Sequence, residues 1–167
     1  MGLEFRAMTP EDSKGVNCIQ KDAYEERFRE EWSFLADKLR RCPEGCWMCV
    51  EDGKPIGYMF SHPGCLSSPP ELNQMLDDGE ADDCYFIHDI AVIHSHRHKS
   101  IAKRFLDYAL KCAATKRHTI VAGVSVQGTR DSWHHLGFEP FSPPEELLNK
   151  IRKSYGDDAS YIVRRVA

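Results

Sequence analysis

Leu3, Phe5 and Ala7 alternate with polar or charged neighbours, the period of a half-buried strand. Thr9-Pro10-Glu11-Asp12 comes next. A threonine cap, a proline at the first helical position and carboxylates in the first turn predict a helix whose apolar face is Val16, Ile19 and Ala23. A second helix is expected from Glu26 to Leu39, with Phe28, Trp32, Phe34, Leu35 and Leu39 as its apolar residues and Pro43 and Gly45 as its stop. Trp47–Val50 and Ile56–Phe60 flank Asp52-Gly53, a favoured tight turn, and so predict a hairpin. Ser61–Asp83 is different in kind. It carries Pro63, Gly64, Pro69, Pro70 and the acidic run Asp77–Asp83. A connection of that length is expected to be a functional lid or disordered, with a short helix around Glu71–Leu76.

Cys84–Ile93 reads as a buried strand. The helix after it sets Ile101, Ala102, Phe105, Leu106, Ala109 and Cys112 on one face, with Lys103, Arg104, Asp107 and Lys111 on the other. Thr119–Val126 is a further strand, Thr129–Leu136 a short helix stopped by Gly137, Phe138–Phe141 the start of a strand region, and Tyr161–Val166 a closing strand. The predicted order is β-α-α-β-β-β-α-β-α-β-β. Its central strand-helix-strand unit implies a parallel pair with a right-handed crossover.

Composition adds limits. A chain of 167 residues with 41% apolar and 29% charged residues is expected to form one domain spanning 1–167. A net charge of −4 argues against nucleic acid as a partner, and no apolar run approaches the ~20 residues of a membrane span. The N-terminus shows neither a signal-peptide pattern nor a myristoylation site. Seven cysteines, an odd number, then suggest reduced thiols in the cytoplasm. Cys42, Cys46 and Cys49 have zinc-ligand spacing, but no second pair completes four ligands, and Cys46–Val50 reads as a strand with buried alternate side chains. No metal is assigned. The histidines His94, His96 and His98 likewise read as loop side chains whose backbone is the functional part.

Between the strand and the helix, the loop would gather backbone N–H groups at a helix N-terminus, a geometry that binds phosphate. Ile90-Ala91-Val92 followed by Arg97-His98-Lys99-Ser100-Ile101-Ala102, and then Trp133 four positions before Gly137-Phe138, resembles the GNAT (GCN5-related) N-acetyltransferase superfamily. His88-Asp89-Ile90-Ala91-Val92 is similar to the corresponding strand of arylalkylamine N-acetyltransferases, and Gln127–Phe138 resembles a subset of their relatives. The resemblance covers nearly the whole chain. It implies an α/β fold with a twisted, mostly antiparallel sheet, a central parallel pair and helices on both faces. It also implies acetyl-CoA as co-substrate and a small primary amine, such as an arylalkylamine or polyamine, as acceptor. A module that binds acyl-CoA with weak or no catalysis is the alternative.

On that resemblance, Ile90, Ala91 and Val92 would hold the pantetheine arm through their backbone, Arg97, His98, Lys99, Ser100, Ile101 and Ala102 would wrap the pyrophosphate, and Gln127 and Trp133 would complete the cofactor site. Ser100 stands where the family has glycine, and Trp133 where many members have a tyrosine general acid; an indole N–H has no usable acidity. His88 is the candidate base that frees the amine, imidazole being the side chain suited to proton transfer at physiological pH. A regular strand would send Asp89 to the opposite face, whereas a bulge would let the two exchange roles. The acidic run is expected to attract cationic acceptors. The acceptor itself and the choice between monomer and homodimer stay open.

Overall fold

The computed structural model describes residues 2–76, 82–97, 99–126 and 129–166. Among the described residues seven strands form one sheet: β1 (Leu3–Ala7), β2 (Trp47–Glu51), β3 (Lys54–Gly64), β4 (Cys84–Val92), β5 (Ile120–Ser125), β6 (Glu139–Pro140) and β7 (Ser160–Arg165), in the spatial order β1-β2-β3-β4-β5-β7-β6. All neighbours are antiparallel except β4 and β5, the parallel pair that the strand-helix-strand pattern predicts. The described residues also form five α-helices, which cover both faces: α1 (Ser13–Ala23), α2 (Trp32–Arg41), α3 (Ile101–Thr115), α4 (Arg130–His135) and α5 (Glu145–Tyr155).

The helix starts show how local chemistry sets the elements. Asp12 closes a 3-10 turn over Pro10–Asp12 by accepting the N–H of Thr9 at 2.8 Å, and pairs with Arg6 through two bonds of 2.9 and 2.8 Å. Val16 and Ile19 are buried as their spacing requires; so is Gln20. The second helix begins later than expected. Residues Glu26–Phe28 make a 3-10 turn, and only Trp32 onward is α-helical. The side chain of Gln20 explains the break. Its amide donates to the carbonyl of Glu30 at 3.0 Å and accepts the N–H of Glu30 at 2.8 Å, so both backbone groups of that residue are held outside any helix.

Two further expectations are corrected. α5 was absent from the predicted order, although Pro144, Glu145 and Glu146 make a good helix start and Leu147, Leu148, Ile151 and Tyr155 share a stripe. Its Ile151 and Tyr155 pack with Cys84, Phe86, Ala122 and Tyr161. No helix forms at Glu71–Leu76, where Asn73 takes a positive φ of 54° and the chain turns. That segment is strapped to its surroundings instead. The Asn73 N–H donates to Glu30 at 2.9 Å, Lys38 Nζ to the Gln74 carbonyl at 2.9 Å, the Leu76 N–H to Asp37 at 2.9 Å, and Tyr155 Oη to the Pro70 carbonyl at 2.6 Å. Within the acidic run, residues 77–81 lie outside the described ones. Asp82 pairs with His118 at 2.8 Å, and Asp83 accepts the N–H of Leu66 at 2.8 Å. No helix among the described residues is long and apolar enough to cross a membrane.

Candidate active site

The site is made where the parallel pair comes apart. β4 and β5 pair only at Tyr85–Val121 and Phe86–Ala122, while β5 continues against β7 as far as Ser125. From His88 onward β4 has no β5 pairing among the described residues, which leaves that side of it an open backbone edge. Exposure says the same: the His88 side chain is fully buried, yet the residue as a whole is half-buried, so its accessible area is main chain.

On its other side β4 carries a bulge. Asp89 faces Phe60 and Ile87 faces Ser61, which leaves His88 as the extra residue. A bulge interrupts the two-residue alternation of side chains. His88 and Asp89 therefore both engage the layer formed by α1, the segment before α2 and the middle of β3. The regular-strand alternative for Asp89 is corrected accordingly. His88 Nε2 lies 2.7 Å from Glu30 Oε2, in a pair with almost no exposed side-chain surface. Asp89 accepts bonds of 2.5 Å from both Tyr24 Oη and Tyr58 Oη, and Tyr24 also reaches the Ile90 carbonyl at 3.0 Å.

Electrostatics separates these two carboxylates. Burial pushes the Glu30 carboxyl up, but the His88 ring beside it, the Asn73 N–H and the Lys38 ammonium outweigh burial and hold it below its usual range. Glu30 is thus an acceptor, and Nε2 of His88 carries the hydrogen between them. Nδ1 of His88 is buried with no hydrogen-bond partner, so it is the nitrogen left for chemistry. Asp89 behaves oppositely: burial raises it to about 6, with the two tyrosine hydroxyls opposing. Tyr24 and Tyr58 are themselves pushed well above their ordinary range, first by burial and then by the Asp89 charge, and remain donors. Glu30, Tyr24 and Tyr58 are the residues that sequence reasoning missed.

The described ones among the expected cofactor residues lie on β4, in the turn after it, at the start of α3 and on α4. Ile90 is half-buried at the open edge, and Ala91 and Val92 follow it with buried side chains. A 3-10 turn at His94–His96 leads to Ser100, which caps α3, while Ile101 is buried beneath and Ala102 half-buried. Ser100 has φ 58° and ψ 27°, the left-handed region that suits glycine. Its side chain makes no capping bond, so the first N–H groups of the helix stay open to a ligand. The guanidinium of Arg97 folds back on the Val92 carbonyl at 3.2 Å and the Ala23 carbonyl at 3.4 Å, and Lys99 pairs with Glu51 at 3.3 Å. His94 pairs with Asp22 at 3.0 Å and His96 with Glu51 at 2.9 Å, each engaged separately. His98 and Gln127 lie outside the described residues. Trp133 packs edge-on against Phe138, with ring centroids 5.2 Å apart, and is half-buried against the core.

Cys46 and Cys49 are buried in the core. Cys42 instead stands 3.4 Å from Glu44 and close to Cys112, with Lys116 paired to Glu44 at 2.8 Å.

The profile described as the acetyltransferase (GNAT) family matches residues 13–138. The chain belongs to that family. A search of curated proteins by sequence found no match. Among solved structures the GNAT chain is similar to N-acetylglutamate synthase from Neisseria gonorrhoeae, complexed with coenzyme A and N-acetyl-glutamate, with a TM-score of 0.74 and 16% identity over 100% of this chain and 36% of the synthase. The chain thus spans about a third of that enzyme's length. Ard1 from Thermoplasma volcanium gives a TM-score of 0.73 with 16% identity over 100% of this chain and 99% of that one. Arabidopsis thaliana Naa50, in complex with a bisubstrate analogue, gives 0.71 with 10% identity over 98% and 99% of the two chains. At these identities the likeness is one of fold.

Proposed function

We propose that this chain is an acetyl-CoA-dependent N-acetyltransferase that acetylates a primary amine of a small molecule by direct attack in a ternary complex. The observation that carries it is the open backbone edge of β4 from His88 to Val92, lying beside a buried histidine whose second nitrogen has no partner. The edge fits an extended amide-bearing arm such as pantetheine, which would add strand-like bonds to Ile90 and Val92. The uncapped start of α3, approached through the left-handed Ser100, fits a pyrophosphate along Arg97–Ala102. His98, Gln127 and Trp133 belong to the same proposed site. The bound cofactor supplies the acetyl group as an activated thioester.

His88 removes a proton from the attacking ammonium through Nδ1, while Glu30 fixes the ring and its tautomer. A backbone N–H at the bulge polarises the thioester carbonyl. Trp133 offers no acidic proton, and a thiol of pKa about 8.5 leaves as thiolate with little help near neutrality. A cavity of about 320 Å³ beside His62 and Phe86 has the volume of a small-ligand pocket, which supports a small acceptor. Free thiols at all seven cysteines support a reducing, cytoplasmic setting.

A second reading, a peptide N-terminus as acceptor, draws on the fold shared with Ard1 and Naa50. Release of CoA thiol with parallel panels of small amines and short peptides separates the two readings. Turnover confined to peptides overturns the small-molecule acceptor. Stabilisation by acetyl-CoA without any turnover favours an acyl-CoA-binding module, and no stabilisation by any CoA ester overturns the proposal as a whole.

A further inference from the structure

Next to His88 lies a second buried histidine that the proposed reaction does not use. His62, on β3, is 2% exposed, its ring centroid is 6.2 Å from that of His88, and it lines the cavity beside Phe86. Its Nδ1 is 2.8 Å from the Pro63 carbonyl, which can only accept, so the hydrogen sits on Nδ1. Nε2 is then a bare lone pair, and it has no partner. Burial, the main cause, lowers the ring to about 3, so it stays neutral and Nε2 stays an acceptor. His88 shows the same arrangement with the nitrogens exchanged: Nε2 donates to Glu30, and Nδ1 is unpartnered.

Two adjacent buried rings thus each present one unsatisfied acceptor. A buried acceptor without a donor is destabilising, and such orphans mark a place that something else fills. We propose that His62 Nε2 and His88 Nδ1 form a two-acceptor cradle for the nitrogen of a primary amine, reached through the cavity that His62 lines. A primary amine or ammonium satisfies both lone pairs and still has a substituent direction left for the cavity. His88 takes the proton that is lost; His62 holds a second N–H and aims the nitrogen's lone pair. A tertiary ammonium has a single N–H and cannot fill both positions. Because His62 keeps its own hydrogen on Pro63, it acts by binding and orientation, without exchanging a proton. This cradle rests on the N-acetyltransferase reading and adds to it His62 as the residue that positions the acceptor nitrogen.

The test uses the full-length chain saturated with CoA, which blocks turnover, and ¹⁵N-histidine labelling. Methylamine and 2-phenylethylamine are titrated in, with their N,N-dimethyl forms as controls. The primary amines are expected to move the Nε2 resonance of His62 and the Nδ1 resonance of His88 together, and the dimethyl forms to leave His62 unmoved. In acetyl transfer, His62→Gln, which keeps an acceptor, retains most of the wild-type efficiency, whereas His62→Phe raises KM for the amine about 10-fold with the acetyl-CoA-induced thermal shift preserved. Amine acetylation with a silent His62 signal and an unchanged KM in His62→Phe overturns the cradle and leaves the N-acetyltransferase reading standing. Movement of both signals without acetylation by wild type keeps the cradle as an amine site and overturns the reaction.

Discussion

Among the described residues of the proposed cofactor loop, Ser100 is the one whose backbone asks for a different residue. An L-residue in the left-handed region costs about 1–2 kcal/mol. Ser100 sits there with φ 58°, exposed and with no side-chain capping bond to offset the cost. Ser100→Gly removes that strain but adds freedom to the unfolded chain worth about 0.5–1 kcal/mol. The balance is a stabilisation of about 0.5–1 kcal/mol, or a rise in Tm of roughly 1–4 °C for a chain of this size. Ser100→Ala keeps the left-handed strain and loses only the hydroxyl, so it should lie within about 0.5 kcal/mol of wild type. Thermal melts of the three proteins, with and without CoA, read both quantities. The Gly variant should also gain at least as large a shift from CoA, because no Cβ then stands at the start of α3. A Tm that is unchanged or lower in Ser100→Gly, or a marked loss in Ser100→Ala, would show that the hydroxyl stabilises the turn and refute the strain argument.

Other outcomes follow from the same geometry. Asp89 titrates at about 6 in the folded chain against an ordinary 3.8, so between those values the folded state binds the extra proton. Its contribution makes stability fall as pH rises through that window, by about 3 kcal/mol in total, and then level off. Asp89→Asn should remove this slope, seen as the difference between the two proteins' urea midpoints across the window. His88→Gln should lower kcat by about 10²–10⁴-fold with acetyl-CoA binding intact; a loss of only a few-fold would remove it as the base. Glu30→Gln should cost about 3–5 kcal/mol in urea unfolding, because it breaks one side of a buried pair. Trp133→Phe should leave kcat within about threefold, since the indole supplies no proton, and a large drop would mean that its N–H binds a reacting group. At Gly45 an added methyl would collide with the Ser61 carbonyl and the Tyr85 hydroxyl, so Gly45→Ala should destabilise by about 2 kcal/mol or more in the same assay.

The sheet was legible because its signals are local. Alternation marks β1, Asp52-Gly53 marks the β2–β3 hairpin, and the apolar run before an amphipathic helix marks the β4-α3-β5 crossover. The α5 stripe of Leu147, Leu148, Ile151 and Tyr155 was equally local, but the Pro143-Pro144 pair before it reads as extended chain. Of the candidate site, only the stretch along β4 and its loop was legible. The partner of His88 is 58 residues away in sequence, and those of Asp89 are 65 and 31 away. No periodicity connects residues that meet only through the tertiary fold. The bulge is hidden for a related reason: one extra residue in β4 is decided by pairing with Phe60 and Ser61, and leaves no mark in the composition of either strand. Glu30 is the clearest case. It looks like one more acidic residue in a charged helix, and becomes a buried partner only because Gln20 holds its backbone out of that helix.

The divergence of β4 from β5 also bears on how the protein avoids sticking to itself. An unpaired strand edge is a template for other chains, and sheets defend their outer edges accordingly. Here β6 is two residues long and includes Pro140, while β1 is five residues long and carries Glu4 and Arg6. The edge from His88 to Val92, by contrast, lies inside the sheet, with β3 on one side and β5 rejoining at Phe86. A gap flanked by β3 and closed at the Phe86 pairing is not an outer edge of the sheet along which a second polypeptide can freely lay a full strand. The sheet can therefore leave part of β4 without a β5 partner and still add no third outer edge that would seed aggregation.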